Sequence, residues 1–310
     1  MLLDNKISIV GVPLKDGQSK DGVDQGPAAI RQAGLIDELK KMKLSVFDYG
    51  DVEVSVTNDD DSKPHGINRV KSVGATLNKL SDVVNKLSAE SDLTVVLGGD
   101  HSMALGSMHG HLLTSSDMCV IWIDAHSDIN TPETSPSGNL HGMPVAFFLR
   151  ELQRHVPDIP ELKWRKSSLQ AKNLVYIGLR EVDPGERSFI DNLGIPNFGM
   201  DDIDKYGINN VLEMALKAVN PNNDRAIHLS FDIDALDPLE TPSTGTPALG
   251  GLSYREALCI AERLSKTGQV KVMDIAEVNP KIGSSQDREK TVNIAVELVK
   301  SVCGMLRTEH

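Results

Sequence analysis

The chain has 310 residues, of which 40% are apolar and 25% charged, proportions that are typical of a water-soluble globular protein with a sizeable core. Its net charge of −12 argues against nucleic acid or an anionic membrane as a partner. We expect a cytoplasmic protein, because the start lacks a basic leader and apolar stretches such as 118–123 are too short to span a membrane. The three cysteines, Cys119, Cys259 and Cys303, form no CxxC pair, so we expect free thiols and neither a disulfide framework nor a zinc cluster.

Strands and helices are predicted to alternate along the whole chain. Seven short β-rich runs are predicted strands: 6–13, 44–51, 93–100, 118–125, 173–180, 226–235 and 270–277. They are nearly continuous in apolar residues, which indicates strands that are buried on both faces of a parallel sheet. Helical periodicity occurs between them, at 26–34, 67–87, 207–219, 254–264 and 289–302. This alternation predicts an α/β fold with a central parallel sheet, in a single domain that spans residues 1–310.

Two long polar loops, 130–139 and 239–251, each follow a strand whose end carries aspartates. Ligands bind at the carboxyl ends of the strands in open α/β sheets, so both loops are candidate rims of a binding site. The alternative is that they are solvated connections without a role, although loops of this length are usually functional or disordered.

Acidic and imidazole side chains cluster at the predicted strand ends. They are Asp100 and His101, then Asp124, His126 and Asp128, then Asp232, Asp234 and Asp237, and finally Asp274 and Glu277. In an extended backbone, side chains at alternate positions point to the same side. We therefore expect Asp124, His126 and Asp128 to converge in extended geometry, and Asp232 to converge with Asp234 in the same way.

The electrostatics of this cluster favour metal binding. A single aspartate at a strand end is more often a helix cap, but the four carboxylates of Asp124, Asp128, Asp232 and Asp234 would repel one another by several kcal/mol without a cation. Two divalent ions balance that charge, and His101 is then a candidate ligand. Mixed imidazole and carboxylate ligation suits Mn²⁺, with Fe, Co and Zn as alternatives. Two ions that share an activated water predict a dinuclear hydrolase.

The same segments resemble the signature blocks of a known family. "GGDHS" (98–102), "DAHSDIN" (124–130), "SFDIDALDP" (230–238) and "DIAEVNP" (274–280) are similar to the blocks of the ureohydrolases. Within that family, "NLHGMP" (139–144), "LREVDPGE" (179–186) and "STGTPALGGL" (243–252) resemble the animal-type arginases. The resemblance runs from the segment near residue 11 to the final helix, and so covers essentially the whole chain.

The resemblance implies a three-layer αβα fold of the arginase/deacetylase type and two Mn²⁺ ions per subunit. It assigns one ion to His101, Asp124, Asp128 and Asp232, and the other to Asp124, His126, Asp232 and Asp234.

The implied reaction is hydrolysis of the guanidinium C–N bond of L-arginine, which gives L-ornithine and urea through attack by a hydroxide that bridges the ions. Asp128 would hydrogen-bond that hydroxide, Glu277 would pair with the guanidinium, and His141 would carry a proton to the leaving amine. The alternative for His141 is a loop histidine without a role.

The resemblance also assigns a substrate-binding rim. Asn130, Ser137 and Asn139 would hold the α-carboxylate, and Asp183 the α-amino group, whereas Asp183 as a simple helix N-cap is the alternative. Glu186 would contribute through water, and Thr246, like His126, would lie near the bound substrate. Glu181 stands where arginases often have aspartate, which puts in doubt only an outer contact to the α-amino end.

Rival functions remain open from the sequence. Agmatinase, a ureohydrolase whose substrate lacks the α-carboxylate, is the nearest, and a catalytically silent metal-binding homologue is another. A mononuclear deacetylase-like enzyme is disfavoured because His101 and Asp234 complete a second metal site. The family resemblance favours a homotrimer, with Arg307 as a candidate intersubunit residue. The long C-terminal segment that often clasps a neighbouring subunit is not expected here.

Overall fold

The computed structural model describes residues 5–57, 63–165 and 168–306. It contains an eight-stranded sheet in which every pair of neighbouring strands is parallel. The strands are β1 (Lys6–Val12), β2 (Ser45–Asp51), β3 (Leu93–Gly98), β4 (Cys119–Ile123), β5 (Leu174–Leu179), β6 (Asn197–Gly199), β7 (Ile227–Asp232) and β8 (Val270–Ala276). All seven predicted strands are present, and the parallel sheet is confirmed. Strand β6 was not predicted, because three residues are too few to establish a period.

Ten α-helices are described, and they cover both faces of the sheet. They are α1 (Gly26–Gln32), α2 (Leu35–Lys41), α3 (Val70–Glu90), α4 (Met103–Thr114), α5 (Pro144–Phe148), α6 (Pro184–Leu193), α7 (Met200–Tyr206), α8 (Ile208–Val219), α9 (Tyr254–Thr267) and α10 (Ser285–Val302). Helices α1, α2 and α7 to α10 contribute to one apolar core, whereas α3 to α6 contribute to another. The two cores lie on opposite faces, because Ile121 and Ile123 of β4 belong to the first and Val120 and Trp122 to the second. The three-layer αβα fold is therefore confirmed.

Strand β2 corrects one expectation. The segment 44–51 was predicted to be buried on both faces, but β2 lies at one edge of the sheet and most of its side chains are exposed. Phe47 and Tyr49 are each almost half exposed. An edge strand has only one neighbour, and Arg31 forms ion pairs with Asp48 and Asp51 on this strand, which suits a charged, partly solvated edge.

The order of the strands places the polar motifs together. The order is β2-β1-β3-β8-β7-β4-β5-β6, so that β3, β8, β7 and β4 are consecutive at the centre. All four motif-bearing strands run in the same direction, and their carboxyl ends therefore meet at one edge of the sheet. Throughout the part of the chain that the structure describes, no helix has the length and apolar character needed to cross a membrane.

Candidate metal centre and active site

The segment after β4 turns sharply, which corrects the expectation of an extended backbone. The strand ends at Ile123, and Asp124 to His126 form a bend. The Asp124 carboxylate accepts the backbone N–H of His126 at 2.7 Å, so the aspartate itself turns the chain. Asp128 then adopts a left-handed conformation with φ 48°, which costs about 1–3 kcal/mol in a residue other than glycine. Local turns, and not strand alternation, bring these side chains together.

The exit from β7 repeats this geometry. Asp232 is the last residue of the strand, and Asp234 lies in a short 3-10 turn, Ile233–Ala235. The Asp232 carboxylate accepts the backbone N–H of Asp234 at 2.9 Å. The predicted convergence of the two aspartates is thus correct, but the predicted extended backbone is wrong. In both places an aspartate ends the strand, because its carboxylate accepts the backbone N–H of the residue two positions later and so turns the chain.

A first cluster surrounds His101, which follows β3 and precedes α4. Its Nδ1 atom lies 3.1 Å from Asp124, 3.2 Å from Asp128 and 3.0 Å from Asp232. All four side chains are buried. The group meets the geometric requirement for holding one cation through His101, Asp124 and Asp128, with Asp232 at the same distance from the imidazole.

A second cluster shares Asp124 with the first. The Nδ1 atom of His126 lies 3.4 Å from Asp124 and 3.3 Å from Asp234. His126, Asp124 and Asp234 could hold a second cation. Asp124 directs one carboxylate oxygen, Oδ1, to His126 and the other, Oδ2, to His101, an arrangement that suits a bridging ligand.

The unpaired atoms of the site fit bound cations. The Nδ1 atom of His101 and Oδ1 of Asp234 are buried without a hydrogen-bond partner. Buried polar atoms are nearly always paired, so such exceptions indicate a site for a bound ion or water. Ligand atoms about 2.1 Å from an octahedral ion are about 3 Å apart, close to the separations around His101. The donor set of imidazoles and carboxylates, with no thiolate, fits Mn²⁺ among other ions.

The electrostatics of the buried carboxylates also favour bound cations. Burial, together with the charge of Asp124, raises the pKa of Asp128 to about 6. Burial and the charges of Asp234 and Asp124 raise the pKa of Asp232 well above its ordinary value. Burial lowers the pKa of His101, but its close contacts with the carboxylates of Asp124, Asp128 and Asp232 outweigh that effect and raise it well above the ordinary value. The cluster therefore favours positive charge, which divalent cations supply.

Glu277 and His141 lie side by side next to the metal ligands. Glu277 follows β8 in a left-handed conformation with φ 61°, and its Oε1 accepts the backbone N–H of His101 at 2.9 Å. The Nδ1 atom of His141 lies 3.3 Å from the same oxygen. Burial lowers the pKa of His141, but the hydrogen bond and charge of Glu277 outweigh it and raise this pKa to about 9. The imidazole is thus held as a proton donor at neutral pH.

A cavity of about 440 Å³ opens above this cluster. Most of the predicted site residues line it: His126, Asp128, Asn130, Ser137, His141, Asp183, Glu186, Asp232 and Thr246. Asn139 lies in the same loop, but its Oδ1 accepts a hydrogen bond from Asn68 at 2.8 Å. The loop 130–139 is therefore a wall of the cavity, as predicted. From the loop 239–251, Thr246 is the residue that lines it, and its hydroxyl donates to Asp234 at 2.8 Å.

The rim residues are already paired with one another. Asn130 donates from its amide to Asp183 at 2.9 Å. Glu186 is buried, and its carboxylate accepts the backbone N–H groups of Ile129 at 3.1 Å and Asp183 at 3.0 Å. Asp183 immediately precedes α6, so its position as N-cap is confirmed, and Glu186 completes a capping box. Glu181 is 61% exposed, and it lies 3.6 Å from the Nε2 atom of His126.

Two residues of the site were not predicted from the sequence. Trp122 stacks on His101 with ring centroids 4.3 Å apart, and its indole N–H donates to Asp124 at 2.9 Å. Arg180 donates to the backbone carbonyls of Asp234 at 2.7 Å and Ala248 at 2.8 Å, and so holds two site loops together. The sequence signal for Trp122 was its position two residues before Asp124, near the end of β4. For Arg180, the last residue of the predicted strand 173–180, no local signal marks the contact.

Comparisons with known proteins agree with this geometry. The model of the Arginase family matches residues 5–304. Rat (Rattus norvegicus) arginase-1 is 49% identical over 303 residues, which are 97% of this chain and 93% of that protein. The crystal structure of Bacillus subtilis arginase matches with a TM-score of 0.84 and 38% identity, over 97% of this chain and 99% of that one. An Entamoeba histolytica arginase in complex with L-ornithine has a TM-score of 0.86 and 30% identity, over 97% and 98% of the two chains. From its sequence and fold alike, the chain belongs to the arginase family and resembles its animal members.

Proposed function

We propose that this protein is an arginase, a hydrolase that converts L-arginine and water into L-ornithine and urea with two Mn²⁺ ions per subunit. The observation that carries the proposal is the pairing of two regions in one cavity. Two imidazoles and four aspartates cluster at and beneath its base, where His101 and Asp234 have buried atoms without hydrogen-bond partners, and polar residues that include Asn130 and Asp183 form its wall. The high identity to rat arginase-1 supports the choice of arginine as the substrate.

Six residues of the base would hold the ions. We assign His101, Asp124, Asp128 and Asp232 to one ion, and Asp124, His126, Asp232 and Asp234 to the other. Asp124 supports the assignment as a bridging ligand, since its two oxygens face different imidazoles. When bound, the ions would supply an activated water as the nucleophile at neutral pH.

The substrate guanidinium would bind between the metal centre and Glu277. The Glu277 carboxylate is fixed by the backbone N–H of His101, and is thus oriented before the substrate arrives. Its negative charge attracts the guanidinium in a charge-assisted contact and places the reacting carbon above the metal ligands. Asp128 would accept a hydrogen bond from the attacking water, on which its carboxylate can act as a base.

His141 would deliver the proton that the leaving amine needs. With a pKa of about 9, the imidazole is protonated at neutral pH, and it faces the cavity next to Glu277. Glu277 stabilises the imidazolium through their contact, and general acids in such a position contribute about 10²- to 10⁴-fold to the rate. This arrangement favours the proton-transfer role over a loop histidine without a role.

The polar wall would select an α-amino acid. Asn130, Ser137 and Asn139 would bind the α-carboxylate, and Asp183 would bind the α-amino group. Asp183 is half-buried and lies beside Asn130, so one substrate could contact both. Glu186 would act through water and by holding Asp183, whose N–H it accepts. Thr246 would position Asp234 close to the bound substrate.

We further propose that residues 1–310 form a single catalytic domain of a cytoplasmic homotrimer. The continuous eight-stranded sheet supports a single domain. The trimer and the cytoplasmic location rest on the family resemblance and on the free, buried cysteines. Arg307, the candidate intersubunit residue, lies outside the described residues.

Separate assays of urea release from L-arginine and from agmatine test the proposal after the protein is loaded with Mn²⁺. We expect turnover of arginine that chelation abolishes and manganese restores. Faster turnover of agmatine would replace arginase by agmatinase, because agmatine lacks the α-carboxylate that the wall is proposed to bind. No urea from either substrate would identify a catalytically silent homologue.

A further inference from the structure

A set of buried polar side chains lies beneath the metal centre and has no role in the proposed reaction. We call it the buried network, and its members are Ser107, His111, His228, Ser230 and Asp274. None of these side chains has measurable exposure to solvent. Burying polar groups is costly unless they bond to one another, so five of them in one place require an explanation.

Secondary structure aligns the members of the buried network. His228, Ser230 and the metal-ligand candidate Asp232 alternate along β7, and therefore share one face. Asp274 lies directly opposite Ser230 in the register of β7 and β8. Ser107 and His111 are four residues apart on α4, which places them on one side of that helix. The network thus fills the interface between α4 and the centre of the sheet.

Three of these side chains converge on one oxygen of Asp274. Its Oδ2 atom lies 2.6 Å from the hydroxyl of Ser107, 2.9 Å from Nε2 of His228 and 3.5 Å from the hydroxyl of Ser230. The other oxygen, Oδ1, has no partner among the described residues. Asp274 is therefore the acceptor at which the network meets.

The far end of the network is a pair of buried histidines. Burial lowers the pKa of His111 well below its ordinary value, so this imidazole is neutral. Its Nδ1 atom lies 3.3 Å from Nδ1 of His228. The Nε2 atom of His228 in turn lies 2.9 Å from Oδ2 of Asp274. The contacts therefore run from His111 through His228 to Asp274.

The near end of the network reaches a metal ligand. The Nε2 atom of His101 lies 2.9 Å from the hydroxyl of Ser230, whereas its Nδ1 atom faces the carboxylate cluster. A nitrogen that binds a metal ion must be bare, so the ring proton belongs on Nε2. The hydroxyl oxygen of Ser230 then accepts a hydrogen bond from this N–H group. Its own hydroxyl proton points towards Asp274. The Nε2 atom of the other imidazole, His126, faces instead the exposed carboxylate of Glu181 at 3.6 Å.

We propose that Asp274 is a positioning residue that acts through Ser230 to hold His101 in the tautomer and orientation that bind one of the two metal ions. This inference rests on the proposed function, which supplies the ions. Partners beyond the direct ligands commonly set the affinity of a metal site, and losing one costs about 10- to 100-fold. Since His101 contributes to one of the two proposed ion sites, the effect is confined to that site.

Titration of the chelator-treated protein with Mn²⁺, with free Mn²⁺ followed by electron paramagnetic resonance, tests the inference. The variants are Ser230→Ala, which breaks the link to His101, and Asp274→Asn, which keeps the shape of the side chain. Ser81→Ala is the matched control, because it removes a buried hydrogen bond of 2.7 Å to His109, between α3 and α4, that does not involve the metal ligands. Thermal unfolding of each metal-free variant shows whether it is folded.

We expect two Mn²⁺ ions per subunit in the unaltered protein and in Ser81→Ala. In Ser230→Ala and Asp274→Asn, the affinity for one ion should fall about 10- to 100-fold while the other ion binds as before. Unchanged binding of both ions in Ser230→Ala overturns the inference, as does equal weakening of both ions, which indicates a general loss of structure. If Asp274→Asn does not fold, Ser230→Ala decides alone. Failure of the unaltered protein to bind two ions overturns the proposed function, and this inference with it.

Discussion

The base and the wall of the cavity are built on opposite electrostatic principles. The base consists of the six candidate metal ligands, which are mostly buried and densely charged, and two of them, His101 and Asp234, have a buried atom without a hydrogen-bond partner. The wall consists of Asn130, Ser137, Asp183 and Glu186, with Asn139 in the same loop, and these side chains are hydrogen-bonded to one another, to Asn68 or to the backbone.

This difference shows how one cavity separates chemistry from selectivity. The base cannot be satisfied by the protein alone, because repulsion among buried carboxylates requires cations. The wall is already satisfied, so a ligand there exchanges one set of hydrogen bonds for another and gains only modest free energy. Changes in the base should therefore affect metal binding and activity strongly, whereas changes in the wall should affect the choice of substrate and leave the metal in place.

The largest effect is expected from Asp232→Asn. Urea release should fall to background and Mn²⁺ binding should weaken at both sites, because Asp232 is proposed to contact both ions. The metal-free variant should nevertheless have a higher free energy of unfolding than the metal-free parent, because one carboxylate leaves a cluster in which burial and the neighbouring charges oppose ionisation. Metal analysis and thermal unfolding after chelation measure both effects. Asp237→Asn, a change at a partly exposed carboxylate that accepts backbone N–H groups of the same segment, should retain both ions.

The next largest effect should come from His141→Asn. We expect kcat to fall by about 10²-fold or more, because the leaving amine loses its proton donor. The Mn²⁺ content should not change, since His141 contacts Glu277 and is not a proposed metal ligand. Steady-state kinetics and metal analysis of the same preparation test both statements. Loss of metal would mean that the role of His141 as a proton donor is wrongly assigned. The control is His65→Asn, the same change at an exposed histidine.

A smaller effect is expected in the wall, from Asp183→Asn. The loss of the charge opposite the α-amino group should lower kcat/KM for arginine about 5- to 150-fold. This factor corresponds to a loss of about 1–3 kcal/mol in transition-state binding. The free energy of unfolding should not change, because asparagine caps a helix as well as aspartate does. Ser284→Ala is the control, since it removes the N-cap of α10 and should lower stability without changing the kinetics. Unchanged kinetics in Asp183→Asn would exclude Asp183 from substrate binding.

The smallest effect should follow Glu181→Asp, at the position where this chain departs from many arginases. Glu181 is mostly exposed and lies 3.6 Å from His126, so solvent screens the interaction. We expect kcat/KM for arginine to change by less than about 1 kcal/mol. A larger change would show that the contact between Glu181 and His126 belongs to the base of the cavity, and it would weaken the contrast between the base and the wall.

Much of the fold follows from local periodicity, and the exceptions have physical reasons. Helix α3 was predicted because one apolar stripe runs along it, whereas α4 was not, because ten of its twelve residues are buried and no polar face marks its period. Strand β2 was predicted as a strand, but its exposure depends on having only one neighbour in the sheet. Position within the sheet is not encoded in a segment of seven residues.

The candidate metal ligands could be predicted because each is a chemically distinctive residue at the end of an apolar strand. The sequence by itself therefore determined which groups meet at one edge of the sheet, and that their charge requires cations. Only the tertiary structure decided how they meet: the left-handed turn at Asp128, the contact between Asn130 and Asp183 across 53 residues, and the link from His101 through Ser230 to Asp274. These depend on packing between segments that are distant in the chain, and no local pattern of residue types carries that information.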